Sequence, residues 1–196
     1  RSLSAAETLG STTVVMTDKT GTLTEALIEL ADVVPAPRAL RVPERSAAVR
    51  RLSRLSPRES ELLSLAALGT DTLVENPEDA PTAWRIRGSA LEAAVVRAAA
   101  SHGVGRPRRA PRGAGGTLER AVPFSSAHKF SVSHGLVEYD GVDGKREERH
   151  THIALGAPDV LIARSTLGKD ARTALLAAIA SASASGRRLV GVAVAP

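Results

Sequence analysis

Near the start of the chain, Asp18, Lys19, Thr20, Gly21 and Thr22 have the types and spacing of a site that handles phosphate. They follow Thr12 to Thr17 (TTVVMT), a β-branched and apolar run that reads as a buried strand ending in a Gly-containing turn. A carboxylate at the C-terminal end of such a strand projects into the crevice where α/β sheets place their ligands. There it can attack phosphorus and form an aspartyl phosphate. Lys19 supplies positive charge, Thr20 and Thr22 supply hydroxyls and backbone amides, and Gly21 lets the backbone turn close to a phosphate. The same residues also suit a plain polar turn after a strand, and physical chemistry alone leaves the two readings level. A second constellation is His134, His150 and His152, which an extended backbone would set on facing strands with zinc-ligand chemistry. The competing reading there is an ordinary polar strand face. "DGVDGKR" at 140–146 lacks the spacing and the hydroxyl of a Walker A loop, and no phosphate loop is read from it.

The elements that must position these residues can be read from local signals. Ser56, Pro57, Glu59 and Gly69 bracket a helix from Pro57 to about Leu68 with a capping box at its start. Ser89 and Gly103 bracket a second, from Ser89 to His102. Leu118–Pro123, Phe130–Tyr139 and His150–Leu155 read as strands, the last two joined by a hairpin at "DGVDGK". A short helix from Pro158 to about Ser165, an Ala-rich helix from Lys169 to Ser185 and a strand from Leu189 to Ala195 complete the order. Leu27–Val34 reads as a further extended segment. Pro35–Arg54, Thr70–Ala83 and 103–116 read as loops. Strands that follow one another through a hairpin predict an antiparallel sheet flanked by helices, an α+β domain, with short hinge strands at both termini.

Composition narrows the function classes. The 196 residues suit one domain, or one domain with a fragment of another. Apolar residues at 43% and charged residues at 24% are those of an ordinary globular protein. The only aromatic rings of Phe, Tyr and Trp type are Trp84, Phe124, Phe130 and Tyr139, too few to stack several bases of a nucleic acid. The excess of 26 Lys+Arg over 21 Asp+Glu sits in clusters such as Arg106, Arg108, Arg109 and Arg112, which no nucleic-acid motif frames. No nucleic-acid partner is expected. Cysteine is absent, which excludes disulfides and thiolate sites. No apolar run approaches the roughly 20 residues of a membrane span, so no direct membrane contact is expected. The chain opens on Arg1 and is expected to be a piece of a longer one.

"DKTGTLT" (18–24) resembles the phosphorylation motif of P-type ATPases, cation pumps of the haloacid-dehalogenase-like superfamily, and "ETLGS" at 7–11 resembles the approach to it. The following segments are similar, in order, to that family's nucleotide-binding domain. "VPFSSAHKFSV" (122–132) resembles "PF(S/D)S…K", "GSALEAAVV" (88–96) resembles "GDPTEGAL", and "LGAPDVL" (155–161) resembles "KGAPE". "GRRLVGVAV" (186–194) resembles the returning hinge strand.

The resemblance implies that Asp18 accepts the γ-phosphoryl group of ATP, with Lys19 neutralising charge and Asp18 and Thr20 holding Mg²⁺ in a site incomplete in this stretch of chain. It implies a nucleotide site in which Phe124 stacks on adenine and Lys129, Glu92, Arg188 and Gly156 stand close to ATP or ADP. Residues 1–26 would be a fragment of the phosphorylation domain with a hinge, 27–187 the nucleotide-binding domain and 188–196 the returning hinge strand. The partners would be the pump's own phosphorylation, actuator and membrane domains. The location would be the cytoplasmic side of a membrane protein, in a prokaryotic plasma membrane. By itself the chain would bind nucleotide weakly and transport nothing. Three positions depart from the pattern: Leu155 stands for a lysine, His128 for an arginine, and Ser89 for an aspartate. Leu155→Lys is therefore expected to return a cation to the site. The alternatives are a haloacid-dehalogenase-like phosphatase, or a regulatory module that has lost nucleotide affinity.

Overall fold

The computed structural model describes residues 10–14, 16–18, 22, 28–36, 54–104, 119–140 and 146–196. Its centre is a four-stranded antiparallel sheet with helices packed against it, an α+β fold. In chain order the elements are α1 (Pro57–Gly69), β1 (Leu73–Val74), a 3₁₀ turn (Pro81–Ala83), β2 (Ile86–Arg87), α2 (Ala90–Ser101), β3 (Glu119–Val122), β4 (Phe130–Asp140), β5 (Arg146–Gly156), α3 (Pro158–Arg164), α4 (Lys169–Ala184) and β6 (Gly191–Ala195). The sheet order is β3-β4-β5-β6, and β1 and β2 form a separate short ribbon, β1 inside the Thr70–Ala83 segment expected to be loop and β2 just after it.

The β4–β5 hairpin is the backbone of the sheet. Its register runs unbroken from Phe130↔Gly156 to Asp140↔Arg146. Alternation along it divides the two faces. Ser131, Ser133 and Val137 on β4, and Thr151, Ile153 and Leu155 on β5, are buried toward one side. That side meets α1 and α2, whose Leu63, Ala66, Ala67, Val95, Val96 and Ala99 form the main core cluster with Leu155. Leu65 joins Val137 and Ile153 in a second cluster. Each fully buried Leu, Val or Ile contributes about 1.5–3 kcal/mol relative to exposure, so a core without large aromatics still suffices for a domain of this size.

Helix α1 starts where its sequence says. Ser56 Oγ accepts from the Glu59 amide at 3.4 Å, and Glu59 Oε2 accepts from the Ser56 amide at 2.7 Å, a reciprocal capping box. On the opposite face of the sheet α3 packs beside Gly191, where an added Cβ would come within 2.9 Å of Pro158. Helix α4 continues from α3 and has no buried residue.

The terminal strands differ from expectation. The described residues of 12–17 form no strand; Val14 is 73% and Met16 93% exposed. Residues 28–34 form no strand either, although Leu30 and Val33 pack against the main core. At the other end β6 pairs with β5 from His152↔Ala195 to Gly156↔Gly191 and forms an edge of the sheet. Most of the expected 35–54 and 103–116 loops lies outside the described residues. Among the described residues no helix is long and apolar enough to cross a membrane.

Candidate functional site

The turn into β4 is a closely constrained corner of the fold. The Lys129 amide donates to the Ser125 carbonyl at 2.7 Å, closing the turn. Ser125 Oγ accepts from the His128 amide at 3.1 Å and is hydrogen-bonded to His128 Nδ1 at 2.7 Å. Lys129 has φ 61°, the only non-glycine residue with positive φ among those described. A side chain in that region is disfavoured by roughly 1–2 kcal/mol, so neighbouring contacts must hold it there.

Those contacts come from the end of β5. Ala157 N donates to the Lys129 carbonyl at 2.8 Å. A Cβ at Gly156 would fall 2.3 Å from the Lys129 carbonyl oxygen and 2.5 Å from Phe130 Cα, so only glycine allows the approach. "AHKF" and "LGAP", far apart in sequence, are thus pressed together at the register pair Phe130↔Gly156.

The two phenylalanines of the corner differ. Phe124 is 64% exposed, its ring open to solvent. Phe130 is half-buried, with the Arg164 guanidinium 5.3 Å above its ring and the His128 ring edge-on at 6.1 Å. Lys129 and Arg188 are exposed, and neither side chain has an ion-pair partner among the described residues. Arg188 lies shortly before Gly191, which pairs with Gly156.

Glu92 is tied to the α1/α2 face of the sheet by a chain of contacts. Ser89 is the N-cap of α2, its Oγ accepting from the Glu92 amide at 3.2 Å and donating to Glu92 Oε2 at 2.8 Å. Glu92 Oε1 accepts from the Asp71 amide at 3.2 Å. Just before Asp71, Gly69 lies against Ile153 and Leu155, and its carbonyl accepts from Arg120 Nη2 at 3.3 Å. Arg120 Nε is also 3.8 Å from Asp71. Ser89 is therefore a helix cap, and Glu92 already serves two donors.

Leu155 overturns one expectation. It is only 6% exposed and belongs to the main core cluster. A lysine there would carry its ammonium among Leu63, Ala67, Val95 and Val96, so Leu155→Lys damages the core instead of restoring a cation to the site. The alternation Thr151, Ile153, Leu155 carried this signal in the sequence. Arg164 and Asp71 were missed for a different reason: their contacts join separate elements, and no local pattern announces them.

Asp18 is exposed, its carbonyl accepting from Thr17 Oγ1 at 3.3 Å. Lys19, Thr20 and Gly21 lie outside the described residues. No hydrogen bond or ion pair among the described residues joins Asp18 to the Lys129–Gly156 corner. Two of the three histidines meet across β4 and β5, while His150 is the register partner of Leu136. His134 and His152 are register partners with rings stacked at 5.7 Å. His152 Nδ1 donates to the Pro196 carbonyl at 3.2 Å, while His134 Nδ1 is buried without a hydrogen-bond partner. Among the described residues no set of three or more His, Asp or Glu groups is arranged to hold a metal ion, so the zinc reading gains no support.

No protein-family model matches the chain, and a search of curated proteins finds no match.

Proposed function

We propose that the chain is the ATP-binding part of a P-type cation-transporting ATPase, in which Asp18 is the phosphoryl acceptor of the full-length pump. The observation that carries this reading is the Lys129–Gly156 corner. Two motif-like segments distant in sequence meet there at one hydrogen bond and one glycine contact, beside an exposed Phe124 ring. In this reading adenine stacks on Phe124, a contact worth about 1–3 kcal/mol. Lys129 and Arg188 face the phosphates, and Glu92 acts mainly as a positioning residue because Ser89 and Asp71 occupy it. Magnesium does not fit the described residues, which gather no further carboxylates with Asp18 into a metal-holding set, so no step through the ion is assigned to this chain. In the pump it would be completed by the phosphorylation domain, and the whole would work from the cytoplasmic side of a membrane.

The test is a titration of the chain with ATP, ADP and adenosine by amide NMR or calorimetry. ATP and ADP are expected to bind about equally, with Kd of roughly 0.1 to several mM, or about −5.5 to −4 kcal/mol. Phe124→Ala should weaken both by about 1–3 kcal/mol without lowering thermal stability. A folded wild-type chain that shows no response to millimolar ATP would sink the reading. Burial of Leu155 favours one alternative, a regulatory module of the same fold without nucleotide affinity, and that outcome would select it.

A further inference from the structure

We propose that Arg164, the last residue of α3, is a positioning residue that holds Lys129 in its ligand-facing geometry by clamping Phe130; the inference rests on the nucleotide reading above. Lys129 sits at a positive φ that its own backbone disfavours. It is held on three sides. The Ser125 carbonyl takes its amide, the Ala157 amide takes its carbonyl, and its neighbour Phe130 is wedged against Gly156. Gly156 meets the Cα and Cβ of Phe130, and the ring extends from that point toward α3. Beyond the sheet itself, that ring is covered by His128 on its edge and the Arg164 guanidinium over its face.

His128 is itself tied into the turn through Ser125, so it moves with Lys129 and cannot anchor it. Arg164 is anchored elsewhere, on a helix whose Leu161 and Ile162 are buried and whose start packs against β6. It therefore adds a side-chain tie from the turn to α3, beside the backbone ties to β5. The guanidinium has no hydrogen-bond or ion-pair partner among the described residues, so its contact with the ring is the interaction that fixes it. An exposed cation–π contact of this kind is enough to bias one backbone state against another by a few-fold.

The experiment is a double-mutant cycle on the full chain, with ATP and adenosine as ligands. The variants are Arg164→Met, Arg164→Lys, Lys129→Met and Arg164→Met with Lys129→Met. Arg164→Met should lower ATP affinity about 2–5-fold, the range of an exposed cation–π contact, and leave adenosine affinity unchanged. It should also shift the amide resonances of Lys129 and Phe130. Arg164→Lys should keep ATP affinity within about twofold of wild type, because an ammonium can also sit over the ring. In the double variant, Arg164→Met should add nothing to the loss caused by Lys129→Met, since Arg164 acts through that residue.

Additive losses would overturn the inference, because Arg164 would then meet the ligand itself. Equal losses for ATP and adenosine would overturn it by revealing general damage to the fold. An unchanged ATP affinity in Arg164→Met would overturn it while leaving the nucleotide reading intact. A wild type that binds neither ligand would refute the nucleotide reading, and this inference with it.

Discussion

The segment around Asp18 and the corner around Lys129 are opposites. The first has the more specific sequence pattern, and its described residues are exposed: Val14 and Met16 lie in solvent, as does Asp18. The second has a loose pattern and the densest geometry, with a glycine approach, a positive φ, a closed turn and a cation over a ring. A short run of chain is recognisable from its residues alone. A corner built where two strands meet is recognisable only from the contacts that hold it. Specific sequence and self-sufficient structure are therefore separate properties, and this chain divides them between two regions.

Three substitutions probe that division. Leu155→Lys should give the largest effect, a loss of about 3–5 kcal/mol, because it leaves an unpaired charge in the core. Denaturant unfolding followed by circular dichroism reads it, and near wild-type stability would mean that the β5 register is wrong. Gly156→Ala comes next. The added methyl collides with the Lys129 carbonyl and Phe130, and overpacking of this kind costs about 1–3 kcal/mol. Its amide NMR changes should centre on residues 125–130 and 156–158, whereas a silent spectrum would separate the two segments. Met16→Ser should be smallest, within about 0.5 kcal/mol, as for a surface position with no packing to lose. A clear drop in melting temperature would place Met16 against the fold after all.

What the sequence revealed was local. Ser56, Pro57, Glu59 and Gly69 announced α1 because caps are chemistry between near neighbours. Ser89 did the same for α2. The hairpin was legible from its apolar arms, but β5 begins at Arg146, before the strand expected from His150. Its charged first half has little strand character of its own and is extended because β4 pairs with it. The Thr12–Thr17 run failed for the converse reason. Apolar and β-branched residues state that a strand is possible, not that a partner edge exists nearby. In the candidate site, Phe124, Lys129 and Gly156 were singled out by pattern, and Lys129 and Gly156 meet in the fold, while the burial of Leu155 required knowing which face of β5 looks inward. Arg164 required the packing of a helix end on a ring, a contact that belongs to the fold and to no motif.

Helix α4 leaves a different mark on the molecule. With no buried residue along its length, it contributes little to the free energy that separates native from unfolded chain. Opening α4 exposes far less apolar surface than opening the β4–β5 hairpin, so the two belong to different cooperative units. Amide protons of Leu175 to Ala182 should exchange with solvent through frequent local excursions, while those of Ile153 and Val137 wait for global unfolding. The expected outcome is a thermodynamically layered domain: a slow-exchanging sheet with α1 and α2, and an outer helix that opens on a shorter timescale.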